Sequence, residues 1–485
     1  MRGDDLDGLE PAVVWERFAE LTRIARPSKE EEAAREHVLA WATARDLDTS
    51  VDDEGNVVVR VPASPGRDSA ATVVLQSHLD MVCERDPDSP YDPRKGRINV
   101  VVAGDWVHAE GTTLGADNGI GVAAAMAAAE EPEIVHGPLE LLFTVSEEQG
   151  LDGAKALDPS LVSGRLLINL DGTSDDAVTV GCAGSAHSFV RILLELERVR
   201  PDHVALEVVL SGAKGGHSGG DIASGRVNAI KALGRILARG FEQEPFRLAR
   251  LGGGVSRNAI PREARASVSL EPDAEPAFRA AAEQELAALR EQYAGFDDDL
   301  TLSIERSLET RTTGEPATAR MLDLVATIPT GVIAMNPALP GTVETSTSLT
   351  VASTEDGTLT LASMTRSSNA RALEEVVATI AALARSAGAR IEVVRSYPPW
   401  RPDPESRLLD VSKATFERLF GVEPALAVVH GGLECAVIGT KLQGVEMISI
   451  GPEIVGPHAP GERLSISGTQ RFYRLLGGLL DDLSL

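Results

Sequence analysis

Two histidines and five carboxylates stand where short apolar runs give way to polar residues, and together they could bind divalent metal. His78 and Asp80 follow Val73-Val74-Leu75, Glu147 and Glu148 follow Leu141-Leu142-Phe143, and Asp171 follows Leu166-Leu167-Ile168. His458 lies beyond Met447-Ile448-Ser449-Ile450, and Asp117 sits in Gly115-Ala116-Asp117-Asn118-Gly119. Packing alone does not explain this layout, because burying an unpaired carboxylate costs several kcal/mol or more. A metal site at the carboxyl ends of buried strands is the simplest compensation.

One residue separates His78 from Asp80, so in extended backbone their side chains face the same way. One of them could bind metal while the carboxylate accepts the imidazole's second N–H and fixes its tautomer. Glu147 and Glu148 are adjacent and would point oppositely in extended backbone, one towards metal and the other free for proton transfer. Taken singly, Asp117 reads as a helix cap, Asp171 as a turn residue and the glutamate pair as a solvated loop. His458, held in a turn by Pro457 and Pro460, supplies the second nitrogen that a mixed nitrogen and oxygen site wants. His37, His108, His136, His187 and His203 read as structural, because none has an acidic companion at ligand spacing.

The elements that must position these residues are legible as patterns. Residues 11–44 carry helical periodicity, Asp52 to Asn56 make a turn, and Val57 to Val61 form a strand. Gly119 to Glu130 is predicted to be a helix of small residues that can press closely against a sheet, with Asp117 and Asn118 at its amino end. Strand and helix signals alternate through this region, which argues for an α/β domain with a mostly parallel sheet flanked by helices. Beyond Gly184 the strands read as half-buried (204–210, 266–270) and the helices as amphipathic (226–239, 275–293), so a second domain begins. It ends at the proline-rich Tyr397 to Pro404, a stiff hinge. The expected organisation is a catalytic domain over 1–186 and 398–485 and an inserted α+β lid domain over 187–397. The insert is long for one small lobe, and its texture occurs twice, near 187–300 and 301–397, so two ferredoxin-like lobes are expected.

The insert carries polar residues of its own. His217 lies in Gly-Ala-Lys-Gly-Gly-His-Ser-Gly-Gly-Asp, which lacks the ending of a phosphate-binding loop and reads as a flexible segment presenting the histidine. Asn258 in RNAIP and Arg366 in SMTRSS, with His430 and Glu434 in HGGLEC, are further polar residues in glycine- or serine-rich settings.

Composition narrows the function class. The 485 residues exceed one ordinary core, and 43% hydrophobic residues suffice to bury two or three. A net charge of −27, from 73 acidic and 46 basic residues without a basic cluster, argues against nucleic acid and anionic membranes as partners. Three cysteines, Cys83, Cys182 and Cys435, have no paired spacing and are expected to be buried thiols in a reducing compartment. The terminus MRGDDLDGLEP has no signal-peptide character, and no apolar run reaches about 18 residues, so a cytoplasmic location is expected.

In this order, HLDMV, GADNG, SEEQG, NLDG, GGHSG, RNAIP, HGGLEC and SIGPEIVGPH resemble the M20 metallopeptidase family. Within it they resemble the aminoacyl-histidine dipeptidase branch, also called the β-alanyl-histidine or cytosol nonspecific type. The resemblance covers nearly the whole chain and implies two divalent ions, Zn²⁺ with Co²⁺ or Mn²⁺ as alternatives. It implies His78, Asp117 and Asp171 on one ion and Asp117, Glu148 and His458 on the other, with Asp117 bridging. Asp80 would orient His78, Glu147 would be the general base towards a metal-bridged water, and His217 would stabilise the oxyanion. Asn258 and Arg366 would hold the substrate backbone or its carboxylate, and His430 and Glu434 would contact substrate, Glu434 at its amino group. The implied reaction is hydrolysis of small peptides, Xaa-His, β-Ala-His or dipeptides more broadly, by a monomer or homodimer. Two alternatives are an N-acyl-amino-acid amidohydrolase of the same fold, told apart by substrates without a free amino group, and a metal-dependent protein that binds peptides without cleaving them.

Overall fold

A computed structural model describes residues 6–337 and 339–485; of the amino-terminal stretch read above, residues 1–5 lie outside it. The chain divides into two compact units. The first runs to Gly181 and resumes over Trp400–Val429 and Leu433–Leu485, and the second comprises Cys182–Pro399 with His430–Gly432. His430, expected with the catalytic domain, therefore groups with the insert.

In the first unit, four parallel strands form the middle of an eight-stranded sheet. Leu139–Thr144, Val73–His78, Leu166–Asn169 and Glu446–Ser449 lie side by side in that order. Val73–His78 and Leu139–Thr144 are buried along their whole length, as strands covered on both faces must be. Antiparallel strands extend the sheet: Val57–Val61 pairs with Leu139–Thr144, and Asp48–Val51 lies beyond it. The periodicity over 11–44 resolves into two helices, Ala12–Leu21 and Glu32–Thr43, and the intervening stretch carries Arg26 and Ser28.

The helix Ala116–Glu130 packs on this sheet, and nearly all of it is buried. Its small side chains permit that approach. Asp117 and Asn118 depart from helical φ/ψ, and the Asp117 carboxylate faces two histidines instead of capping the helix. A four-stranded sheet joins Val100–Ala103, Trp106–Ala109, Arg463–Ser465 and Ile454–Val455. His458 lies between the last two strands, in the left-handed region at φ 67°.

The second unit is built on one nine-stranded antiparallel sheet. Val204–Ser211, the helix Ala229–Gln243, Arg247–Gly253, Ala264–Leu270, the helix Glu275–Gln292 and Thr301–Arg306 follow a βαββαβ order. A second such set comprises Gly184–Leu193, the helix Glu315–Thr327, Val343–Glu355, Thr358–Ser367, the helix Ala370–Ser386 and Arg390–Tyr397. The two lobes are nested, not consecutive. The first is inserted after the opening strand of the second, and they join edge to edge where Gly253 pairs with Ala352. Apolar residues of the helices pack on the sheet around Phe246 and Phe278, whose rings meet edge to face at 5.4 Å. Among the described residues no helix is long and apolar enough to cross a membrane. Cys182 and Cys435 are buried as expected, whereas Cys83 is only half-buried.

The close seat of the small-residue helix gives a test with opposed terms. A Cβ at Gly121 would lie 2.6 Å from the Leu170 carbonyl and 2.5 Å from Asn118 Oδ1. Alanine gains about 1 kcal/mol of helix propensity over glycine, but overpacking against a backbone costs about 1–3 kcal/mol. Gly121→Ala is expected to lower the urea midpoint at unchanged m value; a raised midpoint would mean that the helix can shift away.

Candidate metal centre

The side chains of the first-unit cluster are delivered by strand ends, by the loops that follow or precede strands, and, for Asp117, by the amino end of the helix Ala116–Glu130. His78 is the last residue of its strand, and Asp80 follows it in a turn. Ser146, at φ 50°, turns the chain after Leu139–Thr144, so Glu147 and Glu148 sit in a turn and not in the extended backbone their adjacency suggested. Asp171 follows Leu166–Asn169, and the loop ahead of Arg463–Ser465 brings in His458.

The carboxylate of Asp117 stands between the two histidines. His78 Nε2 lies 3.1 Å from its Oδ1, and His458 Nε2 lies 3.1 Å from its Oδ2. Asp171 Oδ1 approaches His78 Nε2 at 3.6 Å, and Glu148 Oε2 approaches His458 Nε2 at 3.0 Å. One ligand atom from each of His78, Asp117 and Glu148 falls within 4.8 Å of the others. The sequence-predicted residues His78, Asp80, Asp117, Glu147, Glu148, Asp171, His458 and Glu434 thus belong to one unit and most of them to one contact network.

Hydrogen bonds set which atoms remain available. His78 Nδ1 faces Asp80 at 3.2 Å from its carbonyl and 3.3 Å from its Oδ1, so the proton belongs on Nδ1. That leaves the Nε2 lone pair directed at carboxylate oxygens, a repulsive arrangement unless positive charge lies among them. Asp80 is held by the backbone N–H groups of Glu147 and Glu148 and by the Ser28 hydroxyl, at 3.0, 3.1 and 2.7 Å. Asn118 donates to Asp171 Oδ1 at 2.9 Å. Glu148 Oε1 is buried without a hydrogen-bond partner. Two imidazole nitrogens and three carboxylates suit a divalent cation of borderline to hard character.

The titration behaviour expresses the same crowding. Burial would lower His78, but Asp171, Asp117 and Asp80 raise it well above the usual imidazole range. Hydrogen bonding to Asp117 and Glu148 pushes His458 up to about 11. Against the effect of burial, the two imidazoles hold Asp117 far below the carboxylate range. Burial and then Asp117 push Asp171 up to about 7. Burial, reinforced by Asp171, Glu148 and Glu434 and opposed by His78, raises Glu147 well above its ordinary value. A bound dication would replace the protons that this set otherwise shares.

Behind the cluster runs a buried polar ladder that sequence reading missed. Asn169 donates to Gln76 at 2.6 Å, and Gln76 donates to Glu434 Oε2 at 2.5 Å. Thr144 also donates to that oxygen at 2.6 Å, whereas Glu434 Oε1 is buried and unpartnered. Polar residues inside apolar strands were the available signal.

His217, Asn258, Arg366 and His430 belong to the second unit and gather there. His217 Nδ1 accepts the N–H groups of Gly219 and Gly220 at 3.2 and 3.0 Å, so the neutral ring carries its proton on Nε2. Burial and Arg366 lower its pKa, favouring that neutral form. Arg366 is 3% exposed, donates to Tyr397 Oη at 3.1 Å and lies 3.5 Å from Asn258 Oδ1. No described carboxylate pairs with it, and its Nε is unpartnered. Ser346 lies 2.7 Å from His430 Nε2, and burial drops His430 to about 4. Tyr397 and Ser346 gave no motif signal; a bulge after Arg395 re-aims Tyr397 at the end of its strand.

Comparisons with known proteins find a matching family model and relatives over nearly the whole chain. Residues 74–482 match the model of peptidase family M20/M25/M40. The chain is similar to the cytosol non-specific dipeptidase of Escherichia coli (strain K12), at 36% identity over 481 residues covering 99% of each chain. It is similar in structure to the aminoacylhistidine dipeptidase of Vibrio alginolyticus, with a TM-score of 0.90 and 34% identity over 99% of this chain and 98% of that one. A tripeptidase from Staphylococcus aureus shares the fold, with a TM-score of 0.58 and 16% identity over 98% of this chain and 99% of that one.

Metal addition should be visible in stability. Zn²⁺ or Mn²⁺ at a hundredfold excess over its dissociation constant is expected to stabilise the wild type by about 2.7 kcal/mol. The measurement is the thermal midpoint with metal and with chelator, and Asp117→Ala should show no difference between them. Equal midpoints for the wild type would remove metal from this cluster.

Proposed function

The chain belongs to peptidase family M20/M25/M40, and on that premise we propose that it is a di-metal dipeptidase. The observation that carries the two-metal reading is Asp117, whose two carboxylate oxygens each face a different imidazole. His78 and Asp171 would hold one ion and Glu148 and His458 the other, with Asp117 common to both. Zn²⁺ fits this donor set best, and Co²⁺ and Mn²⁺ fit it also. Two such ions supply the charge that polarises a scissile carbonyl and acidifies the attacking water.

The chain's own residues do the remaining work. Asp80 keeps the His78 proton on Nδ1, so Nε2 stays available. Glu147 takes the proton from the attacking water and delivers it to the leaving amine, a role its raised proton affinity supports. His217 offers an Nε2–H to the oxygen that gains charge. Arg366, a buried guanidinium lacking a carboxylate partner among the described residues, suits the substrate carboxylate, with Asn258 and His430 beside it. Glu434 Oε1 suits the substrate ammonium. Demand for both free ends selects dipeptides over longer chains, with Xaa-His and β-Ala-His among the substrates. Three cysteines without paired spacing are consistent with a cytoplasmic setting, and a monomer or homodimer would serve this chemistry.

Histidine release from β-Ala-His and Leu-His by chelator-stripped protein tests the reading, with Zn²⁺, Mn²⁺ or Co²⁺ then restored. Metal-restored cleavage is expected; no cleavage by fully metallated protein would overturn it in favour of an acyl-amino-acid hydrolase or a peptide-binding protein. Glu147→Ala should retain metal and lose about 10²–10⁴-fold in kcat. Amidating the dipeptide carboxylate should raise KM in the wild type but not in Arg366→Ala, and equal effects in both would remove Arg366 from that role.

A further inference from the structure

Glu462 is 2% exposed, and its carboxylate is hydrogen-bonded to one loop. Its Oε2 accepts the backbone N–H groups of Leu114 and Gly115 at 2.8 and 3.0 Å. Its Oε1 accepts those of Ala116 and Asp117 at 2.8 and 3.2 Å. Four consecutive amides ending at Asp117 therefore converge on one carboxylate, which lies four residues after His458.

Arg26 grips the same loop from its carbonyl side. It is 1% exposed, and its Nη2 donates to the Gly115 carbonyl at 2.5 Å. Its Nη1 donates to the carbonyls of Leu79 and Asp80 at 3.0 and 2.8 Å, in the turn that follows His78. Gly115 has φ +72°, and a Cβ there would stand 2.5 Å from Arg26 Nη2, so the backbone passes close against the guanidinium. Two buried opposite charges thus lie on either side of one peptide. Burying each charge costs several kcal/mol, more than capping a helix requires, since a neutral serine or asparagine caps one.

We infer that Glu462 and Arg26 are positioning residues that clamp the Asp117 loop between the His458 hairpin and the His78–Asp80 turn, and thereby set the affinity for divalent metal. The clamp opposes a specific force. Asp117 shares its surroundings with Asp171 and Glu148, and their mutual repulsion would spread the ligands apart. The inference rests on the metal-site reading above. Glu462 fixes the amide side of the loop to the element bearing His458, and Arg26 fixes the carbonyl side to the element bearing His78. The spacing across which Asp117 reaches both imidazoles is then held from two sides.

Chelator competition for Zn²⁺ and Mn²⁺, on chelator-stripped wild type, Glu462→Gln and Arg26→Lys, tests this alongside thermal midpoints in chelator and in metal. Glutamine keeps the shape but turns an NH₂ towards two N–H donors; lysine keeps the charge but loses the fork. Both variants are expected to lose about 10–100-fold in metal affinity, with a smaller metal-induced rise in midpoint than the wild type. Unchanged affinity in both variants overturns the inference, as does an equal loss of midpoint with and without metal at unchanged affinity. A variant that fails to fold even in saturating metal also overturns it, by assigning the residue to the fold. If the wild type itself binds neither ion, the metal-site reading fails first.

Discussion

The first unit is organised by the convergence of like charges at the ends of its parallel strands. Asp80, Asp117, Glu148 and Asp171 all approach the two imidazoles of His78 and His458. Such a set is tolerable only if each carboxylate is hydrogen-bonded or faces positive charge. Much of the surrounding structure serves that requirement. Ser28 and two backbone amides satisfy Asp80, Asn118 satisfies one oxygen of Asp171, and the Asn169, Gln76 and Thr144 side chains form a ladder towards Glu434. A sheet that needed only stability would bury apolar side chains at those positions.

The second unit meets the opposite condition, a buried cation without a resident anion among the described residues. Arg366 sits on a sheet whose adjoining strands are rich in serine and threonine, where Thr345 pairs with Ser367 and Thr347 with Thr365 at 2.8 and 3.0 Å. These neutral hydroxyls cross-link the strands without neutralising the guanidinium. Glycine permits the polar residues to crowd together: a Cβ at Gly219 would meet the His430 carbonyl at 2.5 Å and Arg366 Nε at 3.2 Å. The flexible loop read from the glycines is thus also a tightly packed one.

Much of the candidate site was legible because strand ends leave a one-dimensional mark. Val73-Val74-Leu75 before His78 and Leu166-Leu167-Ile168 before Asp171 identify buried strands by their unbroken apolar character, and ionisable residues follow at once. The strand Val57–Val61 and the helix beginning at Glu275 were readable from alternation and from a proline in the first turn. What escaped were the pairings of residues that lie far apart along the chain. Gln76 and Glu434 are 358 positions apart, and Leu114 and Glu462 are 348 apart. Local periodicity carries no information about such pairs. The nested order of the two lobes escaped for the same reason, since the strand Gly184–Leu193 pairs with segments that follow the entire inserted lobe.

The amino-acid sequence by itself determined the donor chemistry, the alternating elements of an α/β unit and the motifs that mark the family, because residue type and short-range spacing encode these directly. Tertiary structure alone decided that four backbone amides around Asp117 converge on Glu462, that the glutamate pair lies in a turn, and that His430 groups with the insert. Those outcomes depend on sheet register and on buried charges finding partners hundreds of residues away. Both are fixed only when the whole core closes and water is removed from around the charges.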